Sequence, residues 1–214
     1  MPRILIEEGR HGAVTWVIEQ GPVGGVPLLD FKFGCASNAE AFVASPHQFL
    51  YFQAGGFDSS LLSFLEIGAD GSVNVSRLPG TPHRTAGAGG FIDITTRAKR
   101  IVFSGNFNAG AKMHVEDGRL VIDREGKVAK IVPAVAQVSF SGRRARAQGQ
   151  DVTYVTERCV LKLEADGLVV TEIAPGMDLQ RDILNQAATP LRVSDGLVEM
   201  DSALFRPEPM GLAL

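Results

Sequence analysis

The sequence predicts an α/β domain built on a mixed, open sheet, with helices on both faces and several hairpins. Three observations predict it. Asp70-Gly71, Asp117-Gly118 and Asp166-Gly167 each stand between extended apolar stretches, and Asp-Gly supplies the positive φ that tight hairpin turns require. Helical periodicity is confined to a few short segments, and hairpins in this number imply a sheet that is not purely parallel. The 214 residues, 45% hydrophobic and 21% charged, suffice for one substantial core and show no internal boundary. Residues 1–214 therefore read as a single domain.

Taken in order, Pro2 to Arg10 reads as the end of a helix closed by a stop at Gly9. An α/β domain ordinarily opens with its own strand and helix, so a leading βα unit is expected to be missing. Val14 to Ile18 is rich in β-formers and reads as a buried strand, followed by the turn cluster Gly21-Pro22-Val23-Gly24-Gly25. Asn38 to Ala44 is expected to form a short helix, while Asp58 to Phe64 fits helix or strand. The three hairpins would pair Leu62–Ile67 with Ser72–Val75, His114–Val115 with Leu120–Ile122, and Val160–Leu163 with Leu168–Ile173. Arg100 to Ser104 reads as a strand before the small-residue loop Gly105 to Gly110. Met177 to Gln186 has a capping acid and apolar residues at helical spacing. The tail from Asp201 to Leu214 is expected to run extended over the surface.

Several function classes drop out. The formal net charge of −3 offers no field for nucleic acid or an anionic membrane. Cys35 and Cys159 form neither a disulfide framework nor a metal pattern, which points to a reducing compartment. No signal-type segment and no run of the ~18–20 apolar residues needed to span a bilayer is present. A soluble, cytoplasmic protein without nucleic-acid or membrane partners is the expectation. His11, His47, His83 and His114 have no partners at metal-ligand spacing, so no metal is expected. The basic runs Arg97-Ala98-Lys99-Arg100 and Arg143-Arg144-Ala145-Arg146 lack interleaved aromatics and read as solvated faces. Glu157 reads as a structural pair with Arg158.

Glu19 remains as the best candidate for covalent chemistry. It stands at a strand end, where open α/β sheets hold ligands, and beside small residues that let another molecule approach. On position alone the better reading is an ordinary strand-end acid facing water. A second cluster, Gly87-Ala88-Gly89-Gly90, lacks both the Lys-Ser/Thr ending of a P-loop and the spacing of a dinucleotide fingerprint. Its backbone N–H groups suit an anion or oxyanion.

Glu19 in Glu-x-Gly-x-x-Gly-Gly-x-Pro resembles the catalytic glutamate motif of family I CoA-transferases. The similarity is to the acetate/propionate branch, whose two halves are fused in one chain. It continues through residues 70–76, 86–92, 154–160, 172–178 and 205–212. The resemblance implies a CoA-transferase-like, Rossmann-like fold and the catalytic carboxyl-terminal half of such an enzyme. It implies a covalent glutamyl-CoA intermediate on Glu19, with acyl-CoA and a short-chain carboxylic acid as substrates. Coenzyme A would be a substrate, with no permanently bound cofactor. Gly24 and Gly25 would keep the wall beside Glu19 low for the pantetheine arm, and Gly87, Gly89 and Gly90 would bind CoA and the oxyanion. An amino-terminal half, as a partner, and an oligomer are further implications. The sequence departs from the family in lacking that half and in starting inside the catalytic half. Slow acyl-CoA hydrolysis and an inactive remnant are the competing functional readings.

Overall fold

Six strands form the main sheet of the computed structural model, which describes residues 2–78 and 85–213. They are β1 (Ser59–Ser63), β2 (Arg100–Ser104), β3 (Asp151–Val155), β4 (Cys159–Glu164), β5 (Gly167–Ile173) and β6 (Arg192–Glu199). They lie side by side in the order β6-β5-β4-β3-β2-β1. β1, β2 and β3 are parallel; β3–β4 and β4–β5 are antiparallel; β6 returns parallel to β5. The sheet is mixed, as the hairpin count predicts.

Register lines up Leu62, Phe103, Tyr154, Leu161 and Val170 across one face. Phe103 is the hub of that face: Phe91 and Tyr154 stack on it at 5.7 and 5.5 Å, and Phe140 meets it edge-on at 5.1 Å. Phe91 opens the helix α3 (Phe91–Arg97), and α1 (Pro2–Glu7), α2 (Ser45–Ala54) and α4 (Gly142–Ala147) are the other α-helices among the described residues. Burying a side chain such as Phe103 contributes roughly 1.5–3 kcal/mol. A second cluster, around Leu120, Val160, Ala174 and Met200, is closed by the hairpin ribbon Lys112–Glu116 and Arg119–Arg124. Its turn, Asp117-Gly118, has φ of 49° and 72°, the paired left-handed geometry of a type I′ turn.

The hairpin at Asp166-Gly167 and the strand Arg100–Ser104 form as expected. The hairpin at Asp70-Gly71 is shorter, pairing Glu66–Gly68 with Val73–Asn74, because Leu62 and Ser63 are taken by β1. The ambiguous segment 58–64 is thus strand. Asn38 to Ala44 is not a helix: Asn38 adopts a φ of 55°, and Ala41–Phe42 pairs with Pro22–Val23. The helix here is α2, starting one residue after that segment with Pro46 in its first turn. Val14 to Ile18 is not a sheet strand either. Only Val17 bridges, to Val23, and Val14 is exposed. The glycine cluster folds the chain straight back, so Ile18 N–H donates to Pro22 O and Gly24 N–H to Trp16 O. Those local bonds satisfy the backbone that a sheet neighbour would otherwise pair.

Gly9, at φ 66°, ends α1 in a Schellman motif, with Arg10 N–H on Leu5 O and Gly9 N–H on Ile6 O. Residues Leu179–Leu184 form a wide π-type helix capped by Asp178, which accepts the Arg181 N–H. The tail makes one 3-10 turn, Ser202–Phe205, and then extends. There the Met210, Gly211 and Leu212 amides all donate to the Glu8 carboxylate. No helix among the described residues is long and apolar enough to cross a membrane.

Candidate active site

Glu19 occupies the first corner of a tight turn, Ile18 to Gly21, closed by Gly21 N–H on Ile18 O at 2.9 Å. Gly21 has φ 117° and sits so close to the Val43 carbonyl that a Cβ would collide with its oxygen. Only glycine fits that corner. The Ile18 carbonyl is held from behind as well: Gln48 Nε2 of α2 donates to it at 3.0 Å, and Gln48 is 1% exposed. The turn is therefore pinned by backbone and side chain together.

The half-buried Glu19 side chain lies on Gly89 and Gly90. A Cβ on Gly89 would stand 2.6 Å from Glu19 Oε1, and one on Gly90 3.2 Å from its Cδ. No described residue donates a hydrogen bond to the carboxylate, and the Gly89 and Gly90 N–H groups carry no hydrogen bond among the described residues. The arrangement sets the carboxylate-bearing turn against a backbone whose Gly89 and Gly90 donors carry no hydrogen bond among the described residues. Because Phe91 stacks on Phe103, next to the last residue of β2, this loop lies toward the carboxyl ends of the parallel strands. Glu19 thus reaches the ligand-bearing edge of an open α/β sheet without sitting on one of its strands.

The other glycines fall elsewhere. Gly24 and Gly25 form the next turn and press on residues 37–40, where Cβ atoms would meet the Glu40 side chain and the Ser37 carbonyl. They do not face Glu19. Around Gly87 the space is open, and a Cβ added there would have no neighbour within 4 Å. Of the glycines singled out in the sequence, Gly89 and Gly90 are brought to Glu19 and Gly24, Gly25 and Gly87 are not. Gln48 and Phe49 were not singled out at all, although the ring of Phe49 closes on Gly90, 2.8 Å from where a Cβ would be. Their signal was the Ser45-Pro46 start and Gly55-Gly56 stop of a helix just after the first glycine cluster.

Several other chemistry-bearing residues are tied up in packing and ion pairs. Arg158 is fully buried and makes a bidentate pair with Glu125 at 2.7 and 2.9 Å, with Glu157 at 3.2 Å and the Asp182 carbonyl at 3.0 Å. Glu157 also accepts the Phe107 N–H, so its expected pairing with Arg158 is found. Burial pushes the Cys159 thiol up to about 12, which leaves no nucleophilic thiolate near neutrality. Arg146 donates to the Asp70 carbonyl, and Arg100 meets Asp151 at the surface. No group of three or more His, Cys, Asp or Glu side chains is placed to hold a metal among the described residues, and His83 lies outside them.

Comparison with known proteins finds similarity to CoA-transferases. The chain is 42% identical over 211 residues to the caffeate CoA-transferase of Acetobacterium woodii, covering 98% of this chain and 40% of that protein. It is 40% identical over 209 residues to the acetate CoA-transferase YdiF of Escherichia coli K12, covering 97% of this chain and 39% of that one. The crystal structure of the acyl-CoA transferase YdiF from Escherichia coli O157:H7 superposes on the whole chain with a TM-score of 0.92 at 38% identity, again over 40% of its length. No protein-family model matches the chain. The chain spans about two fifths of the curated relatives it matches.

Proposed function

We propose, since the chain is a homologue of the CoA-transferases across nearly its whole length, that it is the glutamate-bearing part of an enzyme moving CoA from an acyl-CoA to a short-chain carboxylic acid. The observation that carries the proposal is the Glu19 carboxylate seated on the Gly89-Gly90 backbone. A solved YdiF structure is described as a thioester complex with CoA, which fits a covalent mechanism for that relative.

The chemistry follows from the residues. A Glu19 carboxylate oxygen adds to the thioester carbonyl; the C–S bond breaks, leaving a mixed anhydride and CoA thiolate. The thiolate adds to the glutamyl carbonyl and expels the first acid as its carboxylate, leaving a glutamyl-CoA thioester. The second carboxylate attacks that thioester and expels thiolate, which takes the acyl group from the new anhydride and frees Glu19. One thioester is exchanged for another, so the sequence is near balance and needs no ATP. Each addition passes through an oxyanion, and the unbonded N–H groups of Gly89 and Gly90 are suited to receive it, each donor contributing ~3–4 kcal/mol. We propose further that the remaining part of the CoA site comes from a partner half, corresponding to the three fifths of the relatives that this chain does not span.

The test is to mix the protein with propionyl-CoA, quench with hydroxylamine and map the product by peptide mass spectrometry. A hydroxamate at Glu19, absent in Glu19→Gln, is the expected result. Added acetate should yield acetyl-CoA. Free CoA in its place would mean hydrolysis, and the absence of any adduct or product, with a partner half supplied, would mean a remnant.

A further inference from the structure

Two consecutive side chains of α2 hold both halves of the candidate site. Gln48, buried, donates to the Ile18 carbonyl that closes the Glu19 turn, 3.0 Å away. Phe49 turns its ring onto Gly90, against which Glu19 also lies. α2 is itself anchored at its far end, where Gly55 packs on Arg97 of α3 and Gln53 Nε2 bonds Asp93 Oδ1 at 2.5 Å. The helix that follows Gly90 and the turn that carries Glu19 are therefore registered through one rigid element.

A buried amide is an expensive way to fill space. It is retained here opposite a carbonyl that already accepts the Gly21 N–H at 2.9 Å. The fold needs only that first bond to close the turn. The second bond fixes the direction in which the whole turn faces, and with it the carboxylate. We infer that Gln48 is a positioning residue for Glu19, holding the turn so that the carboxylate meets an acyl carbonyl seated on the Gly89-Gly90 loop. The inference rests on the CoA-transfer reading for its chemical consequence, while the restraint on the turn is measurable without it.

The test compares Gln48→Met, which keeps length and loses the donor, with Gln48→Glu, which keeps polarity and loses the donor when ionised. The first measurement is amide hydrogen exchange of Gly21 in the full chain, which a merely space-filling Gln48 would leave alone. Exchange in Gln48→Met should be about tenfold faster, the worth of one hydrogen bond, with amides of β2 and β3 unchanged. Gln48→Glu should exchange like the wild type at acid pH, where the protonated carboxyl donates, and like Gln48→Met at pH 8. The second measurement is the single-turnover rate of Glu19 acylation by propionyl-CoA. It should fall about tenfold or more in Gln48→Met at saturating propionyl-CoA, while the concentration giving half the maximal rate stays the same. Unchanged Gly21 exchange in both variants overturns the inference, and so does a fall in affinity with an unchanged maximal rate. If the wild-type chain forms no adduct with a partner half supplied, the transfer reading fails and Gly21 exchange alone decides whether Gln48 holds the turn.

Discussion

The sheet region, from Phe57 onward, and the first fifty residues are held together by different means. Both hydrophobic clusters, centred on Phe103 and on Val160, draw only on residues of the sheet region. Residues 11–44 instead rely on short backbone pairings and on glycines lying against other backbone. They leave Phe31, Phe33 and Phe42 at 105, 76 and 76% exposure. The contrast teaches that stability and chemistry are separated here. Glu19, the proposed nucleophile, sits on the thinly packed part, and Gly89-Gly90, against which it lies, belongs to the densely packed one. α2 ties them together, bonding the Glu19 turn through Gln48 and α3 through Gln53.

The comparison can be broken from either side. The largest effect is expected in the packed region, at Arg158. Arg158→Ala leaves Glu125 and Glu157 without their cation and opens a cavity, costing about 3–5 kcal/mol. An unfolding free energy, from denaturant titration, lowered by less than a third of that would mean that the core does not depend on this ion cluster. Next is Gly89→Ala, which places a methyl 2.6 Å from the present Glu19 Oε1 at a φ of 54°. It should slow acylation of Glu19 roughly 100-fold by displacing the carboxylate, at a stability cost of only about 1–2 kcal/mol. Gly87→Ala, with open space around it, is the control and should change neither. The smallest perturbation needs no mutation. Native protein at pH 8 should react with a thiol reagent at exposed Cys35 and not at Cys159, whose pKa is pushed up to about 12 by burial. Denaturant should raise the count from one thiol per chain to two, and prompt labelling of Cys159 in the native state would erase the distinction between the regions.

Much of the sheet was legible because its turns are written locally. Asp117-Gly118 must take two positive φ values, and that requirement alone locates the ribbon. Segment 58–64 was undecidable because β1 is defined by its parallel partner β2, about forty residues away in sequence, which no local pattern reveals. α2 was misplaced since only Gln48 and Phe52 of its ten residues are buried, while Leu50 and Tyr51 face outward, so it lacks a clean apolar stripe. Glu19 was identifiable by its glycine-rich setting, and of the five glycines expected around it Gly89 and Gly90 lie against its side chain. Gly24 and Gly25 are near it in sequence, whereas contact belongs to Gly89 and Gly90, seventy residues on. For Gly24 and Gly25, proximity along the chain does not become contact in space.

The grip of Glu8 on the amides of residues 210–212 has a mechanical meaning. The carboxylate and the three N–H groups tie together points 202 to 204 residues apart. Tension applied at the two ends of the described chain passes through this clasp before it reaches any strand. The sheet inside the noose carries no load until the clasp opens. A tether attached at the two ends would therefore first register the opening of a buckle, and only afterwards the tearing of the fabric behind it.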